Sequence, residues 1–505
     1  MRSIFDCNLY KTGMSHIPQN NRNDRWLAIA TWLIIGIGIL LRIVVFLQSR
    51  NLFIDEANIA RNVYERTFAG LAMPLSYEQY APPIFLWILK VSTILFGFGE
   101  DAFRLYTLLM SIGALLLFTA VMSAFDIKKG LLYPLFLFAT GLIFVRYSTE
   151  VKQYMPDVFI CLLLVWLAMK IDVLKNTMIS FVAIWFLLGT LSIWSSMPSV
   201  FVLAGVGMYY GTTAIKQDSK KLMPVIIVSI LWLMQFLFYY TTILKPQADS
   251  EYLHNFHKDY FIFLIPVSLV QLQHNIQLVG NLLSEAGGYT ALVTIFNGLL
   301  LLTGGYLLFR KNLEKALLVV VPIVCLYIAA GLSQFSLIPR VSLFIMPFML
   351  LLIGYGFNIV LQVRSKVVLG IVVAVAFIGA YNHNQLKLLI KPLRNEEITD
   401  GMKLLKDNKL TAKDVYVHMG AAPAFIYYTE IHPAREQWQT LKYAHVLKYG
   451  QNCDAIAQTG GQLGFLYANG NTDEMNACKD GVLKHMIVKA SFEEKGCSAY
   501  VYATK

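Results

Sequence analysis

Between residues 26 and 48 the chain runs through 23 positions with one charge, Arg42. As a helix rising 1.5 Å per residue, such a run crosses the ~30 Å of a bilayer's hydrocarbon. Ten further apolar windows follow, at 105–125, 131–146, 155–171, 178–194, 198–215, 222–243, 290–309, 316–333, 341–361 and 367–381. They predict a polytopic α-helical membrane protein of about eleven transmembrane helices. Composition agrees, with 57% hydrophobic and 14% charged residues, where soluble domains carry about 25% charged. The polar first 25 residues hold no apolar core of a cleavable signal, so 26–48 is expected to be a signal anchor behind a cytoplasmic leader, 1–25.

The net charge of +11 raises nucleic acid as a partner, but the basic residues stand singly or in twos and threes between apolar windows. They read as topology signals. With the N-terminus inside, the inner loops receive Lys128 and Lys129; Lys170 and Lys175; Lys216, Lys220 and Lys221; Arg310, Lys311 and Lys315; and Arg364 and Lys366, as the positive-inside rule requires. A bundle over 26–385 then exposes 49–104, 147–154, 244–289, 334–340 and the tail on the outer face. From 395 to 505 the pattern changes to an amphipathic helix, "EEITDGMKLLKDNK", and strands in "DVYVHMG", "GQLGFLYANG", "HMIVKASF" and "SAYVYATK", a small α/β extracytoplasmic domain. Its cysteines, Cys453, Cys478 and Cys497, permit one disulfide and one spare thiol.

The first outer loop opens with "NLFIDEANIARNVYER". Phe53, Ala57, Ala60, Tyr64 and Phe68 recur at helical spacing, which predicts an amphipathic helix in the membrane interface. Asp55 and Glu56 fall in its first turn, where acids suit the helix dipole and Asp is a favoured N-cap. The same carboxylate can act as a general base if a hydroxyl acceptor and an activated donor reach it. Other outer segments supply candidate partners. "VRYSTEVKQYMPD" offers Arg146 and Lys152 for a phosphate, and Tyr147, Glu150 and Tyr154 for polar or stacking contacts, although it also reads as a solvated turn. Arg340 in "SLIPRVSLFIMP" is an outer arginine fit for an anion, or one that snorkels. Arg42 and Arg104 read first as snorkelling residues, and Pro82-Pro83 as a stiff turn. His254 and His257 could share one helix face as metal ligands, but more readily belong to a polar loop. There is no P-loop, HExxH or GxSxG, which disfavours ATP-driven pumps and hydrolases.

The order of these motifs resembles the GT-C class of membrane glycosyltransferases, family 39-like, a group that includes protein mannosyltransferases and the lipid A aminoarabinose transferase. The resemblance rests on Asp55-Glu56, Pro82-Pro83, Arg104-Leu105, the stretch Tyr147, Ser148, Glu150, Lys152 and Tyr154, then "SIWSSMPSVFVLAG", Arg340 and an outer domain after the last helix. Two positions depart from it: Lys152 stands where Arg is usual, and Tyr80-Ala81 where a His is frequent. The resemblance implies an inverting transferase that takes a sugar from a polyprenyl-phosphate donor to a hydroxyl acceptor (lipid, glycan or protein) on the outer face of a bacterial plasma membrane. Asp55 would be the base and Glu56 would orient acceptor or sugar. Lys152, Arg340, Arg146 and Arg104 would meet the donor phosphate, and Tyr147, Glu150, Tyr154 and Tyr80 the substrates. Membrane lipids are partners and nucleic acid is not. No cofactor is fixed, and a divalent metal stays open. The competing class is an outer-face polysaccharide polymerase or a lipid-linked glycan flippase or carrier. A flippase should line a tunnel with charge, whereas the charges here gather in the outer loops.

Overall fold

The computed structural model describes residues 22–379 and 395–505, apart from 449, 459, 471 and 495. Most of the expected leader, with Cys7, and the expected end of the bundle at 385 lie outside the described residues. By packing, the chain forms two compact units: the described parts of 1–44, 107–148 and 153–389, and those of 45–106, 149–152 and 390–505.

The first unit is helical. In chain order the helices of 22–379 are α1 Arg22–Leu47, α2 Ile54–Glu65, α3 Pro83–Phe96, α4 Glu100–Ala124, α5 Leu132–Thr140, α6 Leu142–Arg146, α7 Tyr154–Lys170, α8 Met178–Ser195, α9 Ser199–Gln217, α10 Leu222–Tyr239, α11 Leu269–Glu285, α12 Ala291–Lys311, α13 Leu313–Gly331, α14 Met346–Val360 and α15 Lys366–Gly379. Of these, α2 and α3 belong wholly to the second unit. Each of the eleven apolar windows falls on one of these helices or on the pair α5–α6. Among the described residues seven helical stretches are long and apolar enough to cross a membrane, eight with α5–α6 as one span. The windows that became α7 and α9 fall outside that set, as does α15, whose window 367–381 runs past the described residues.

The α5–α6 pair is bent by 47°, which frees carbonyls at the end of α5 in a place where water cannot reach them. Arg42 takes them up. Its Nη1 donates to the Ala139 carbonyl at 2.8 Å and to Gly38 at 2.9 Å, its Nη2 to Phe138 at 3.1 Å, and its Nε to Ser111 Oγ at 2.7 Å. The snorkelling expected of Arg42 is therefore corrected: the side chain is fully buried and caps a broken helix. Elsewhere small residues bring helices into backbone contact, as membrane packing favours. A Cβ on Gly304 of α12 would run into the Leu352 carbonyl of α14, and one on Gly356 into the Leu300 carbonyl.

The second unit is built on a five-stranded sheet of β1 Val415–His418, β2 His445–Leu447, β3 Gln462–Ala468, β4 Met486–Glu494 and β5 Cys497–Thr504, in the order β2-β1-β3-β5-β4. The β1 strand pairs parallel with β2 and β3, while β5 is antiparallel to β3 and β4. Successive strand residues face opposite sides, and both sides are apolar. Leu466, Ala499 and Val501 pack with Ile398, Met402 and Leu405 of α16 Ile398–Asp407. Phe465, Tyr467 and Tyr502 pack on the other side with Ala457 and Val482. There Cys453 pairs with Cys478, and Cys497 stays a buried thiol on the first side.

That first side continues into the segment 52–89. Ala57, Ile59, Ala60 and Val63 of α2 share one core with Phe85, Leu86 and Leu89 of α3 and with Ala421, Ala424, Phe425 and Tyr428. One face of the expected amphipathic helix is thus packed in a protein core, with even Asn58 and Asn62 buried, while Tyr64 and Phe68 of its stripe stay exposed. Its apolar stripe is matched by residues more than 350 positions away, a partner that local periodicity does not reveal.

Candidate functional site

The α2 helix starts without a polar cap. Phe53 holds the N-cap position in an extended conformation, and Glu56 reaches back so that its Oε2 accepts the Phe53 N–H at 3.4 Å. Asp55 lies two residues inside, so N-capping, its plain structural reading, is not its role. Glu56 is sealed in. Its Oε2 accepts from Arg104 Nη2 at 2.8 Å, its Oε1 from Arg104 Nε at 3.3 Å and from the Val151 N–H at 2.8 Å, and Arg50 Nη2 stands 3.8 Å away. Arg104 also donates to the carbonyls of Arg50 and Asn51, and Arg50 to Thr149 O at 3.1 Å. Glu56 and Arg104, fully or almost fully buried, therefore clamp the start of α2 to α4 and to the 149–152 turn.

Asp55 is half-buried. Its Oδ1 accepts from Gln79 Nε2 at 3.3 Å, and Gln79 Oε1 accepts from Lys152 Nζ at 2.6 Å. Gln79 and Lys152 are both buried, at 6% and 7% exposure, so the structure brings together the predicted acid and the predicted phosphate-binding cation through a residue the sequence reading passed over. The signal was its place just before Tyr80-Ala81-Pro82-Pro83, the turn that starts α3 with Pro82 at the N-cap. Glu150 is buried in the same turn as Lys152, whose N–H donates to the Glu150 carbonyl at 2.7 Å, and Tyr80 is half-buried.

Glu396 is a second residue missed. Its Oε2 accepts the Ile54 N–H at 3.2 Å, in the first turn of α2, and also accepts from Asn469. Burial pushes its carboxyl up to about 8, Glu56 adds to this, and the two hydrogen bonds oppose it.

The remaining candidates lie in the first unit. Arg146, Tyr147 and Arg340 line a cavity of about 400 Å³ with Phe256, Tyr260 and Glu285. The Arg146 guanidinium lies over the Tyr147 ring at 5.4 Å and that of Arg340 over Phe256 at 5.9 Å; Tyr154 meets Tyr147 edge to face at 5.3 Å. Burial raises the Glu285 carboxyl against the pull of Arg146. His257 is held down by burial and by Arg340, and His254 packs against Phe261. Among the described residues no three of His, Cys, Asp and Glu gather as metal ligands.

No protein-family model matches the sequence, and no curated protein matches it. Among solved structures the chain is similar to ArnT from Cupriavidus metallidurans in the apo state, with a TM-score of 0.52 and 14% identity over 95% of this chain and 98% of that one. It is also similar to ArnT from the same organism bound to undecaprenyl phosphate, at a TM-score of 0.49 and 13% identity over 94% and 98%. Over nearly its whole length the chain thus has the fold of apo ArnT, a GT-C fold with a C-terminal sheet domain.

Proposed function

We propose that the chain is a membrane glycosyltransferase that moves a sugar from a polyprenyl-phosphate donor to a hydroxyl acceptor on the outer face of the membrane, with inversion. The observation that carries the reading is Asp55 on a clamped helix turn, one side chain removed from the buried cation Lys152. Asp55 takes the proton of the acceptor hydroxyl as its oxygen attacks the anomeric carbon. The bond from that carbon to the phosphate oxygen breaks, and the lipid phosphate leaves with its charge offset by Lys152. The donor is already activated, so the step needs no nucleotide. Glu56, engaged by Arg104 and Arg50, acts by fixing α2 rather than by touching the sugar.

Arg146 and Arg340 offer a second seat for the donor phosphate, supported by two guanidiniums on one cavity. Reconstituted transfer tests both seats, with the donor named by mass spectrometry of lipid-linked sugars that accumulate in cells lacking the chain. Asp55→Asn should abolish transfer and leave the protein folded, since the amide is nearly isosteric but takes no proton. Near-normal turnover of Asp55→Asn refutes the base, and an intact donor merely moved between leaflets identifies a flippase. Lys152→Ala should raise the apparent donor constant roughly ten- to a hundredfold, about 1.5–3 kcal/mol for one charge-assisted contact. A rise confined to Arg340→Ala moves the phosphate to the arginine cavity.

A further inference from the structure

Gln79 stands between two groups that leave its amide no choice of orientation. The Lys152 ammonium only donates, so it must face the Gln79 oxygen. The Gln79 NH₂ is then turned to Asp55, which as a carboxylate only accepts. The 2.6 Å and 3.3 Å contacts follow that polarity. The backbone beneath is unusual. Tyr77 and Glu78 both have positive φ, 66° and 52°, in a region few non-glycine residues enter, and Gln79 Nε2 also donates to the Tyr77 carbonyl at 3.1 Å.

The turn is riveted to the helix that carries Asp55. Asn62 of α2 exchanges two hydrogen bonds with Ser76, at 3.0 and 3.1 Å, Tyr77 donates to Glu65 at 2.9 Å, and Arg61 lies over the Tyr77 ring at 3.9 Å. Asp55 and Gln79 are thereby fixed in one frame, and backbone held in a rare conformation at such a place points to function.

We propose that Gln79 is a positioning residue that couples donor binding to the basicity of Asp55, an inference that rests on the transferase reading above. With no donor bound, the Lys152 charge polarises the Gln79 amide, and the polarised NH₂ favours the Asp55 carboxylate. A donor phosphate at Lys152 offsets that charge, the amide relaxes, and the proton affinity of Asp55 rises just as the acceptor hydroxyl must be deprotonated. The other charged groups on the elements around Asp55 include Glu56 with Arg50 and Arg104, Arg61 and Glu65 further along α2, Glu396 on the Ile54 amide, Glu150 beside Lys152, and Glu78 beside Gln79. Glu56 is tied to its arginines whether or not donor is bound.

The test is the pH profile of the reconstituted full chain with its polyprenyl-phosphate-sugar donor and saturating acceptor. In the unaltered protein the acid limb of kcat, which reports the donor complex, should lie at higher pH than that of kcat/KM for donor, which reports the free enzyme. Gln79→Met, close in shape but without either hydrogen bond, should lower kcat about tenfold and narrow the gap. Gln79→Glu keeps an acceptor for Lys152 but sets a second carboxylate against Asp55, so the acid limb of kcat/KM should move up. An unchanged gap in Gln79→Met, or an unmoved limb in Gln79→Glu, overturns the coupling. A fully active Asp55→Asn instead removes Asp55 as the base, and a donor moved intact between leaflets removes the transferase reading, so the failures are told apart.

Discussion

Neighbouring residues on a helix point about 100° apart, and that angle separates the tasks of Asp55 and Glu56. Asp55 turns to Gln79 and a half-open surface; Glu56 turns inward to two buried arginines. Removing one member of a buried ion pair strands the other, at about 3–5 kcal/mol. Glu56→Gln should accordingly lower the unfolding temperature in detergent sharply, whereas Asp55→Asn should leave it near the original value. Equal thermal stability of the two variants would contradict the assignment of Glu56 to the fold. The sequence made the acid pair conspicuous but not this division of labour, because Arg50, Arg104 and Val151 reach Glu56 only once the chain has folded.

Elements were legible where their signal is local. Apolar runs near 20 residues marked the helices, and period-two strands marked β1, β3, β4 and β5. The three-residue β2, 445–447, is too short to carry a pattern and owes its place to pairing with β1. The bend between α5 and α6 was equally hidden, since its carbonyls are satisfied by Arg42 from another helix. Helix approach is hidden too. Gly304 and Gly305 are neighbours in one apolar run, yet a methyl group on Gly304 meets the Leu352 backbone while one on Gly305 meets only the Leu352 Cδ1 at 4.0 Å. Gly304→Ala should cost about 1–3 kcal/mol through overpacking, and Gly305→Ala close to nothing. Thermal unfolding of the two variants side by side makes the comparison, with equal losses counting against the close α12–α14 contact.

At the scale of the molecule, the tail and the segment 45–106 are one compact unit, and Glu396 records this in its proton. An unfolded glutamate titrates near 4.3, whereas burial holds Glu396 up to about 8. Between those values the folded unit keeps a proton that the unfolded chain releases. Linkage then requires stability to fall as pH rises through that window, and to be highest below it. Ionised Glu396 is disfavoured where it is buried against Glu56 and the first turn of α2, so alkaline pH loosens the seat of Asp55 as well as the sheet. Unfolding temperatures measured from about pH 5 to about pH 8.5 should decline, and Glu396→Gln, uncharged throughout and still able to accept the Ile54 N–H, should flatten the decline. The same slope in both proteins would assign the pH dependence to other groups and leave Glu396 as a hydrogen-bond acceptor alone.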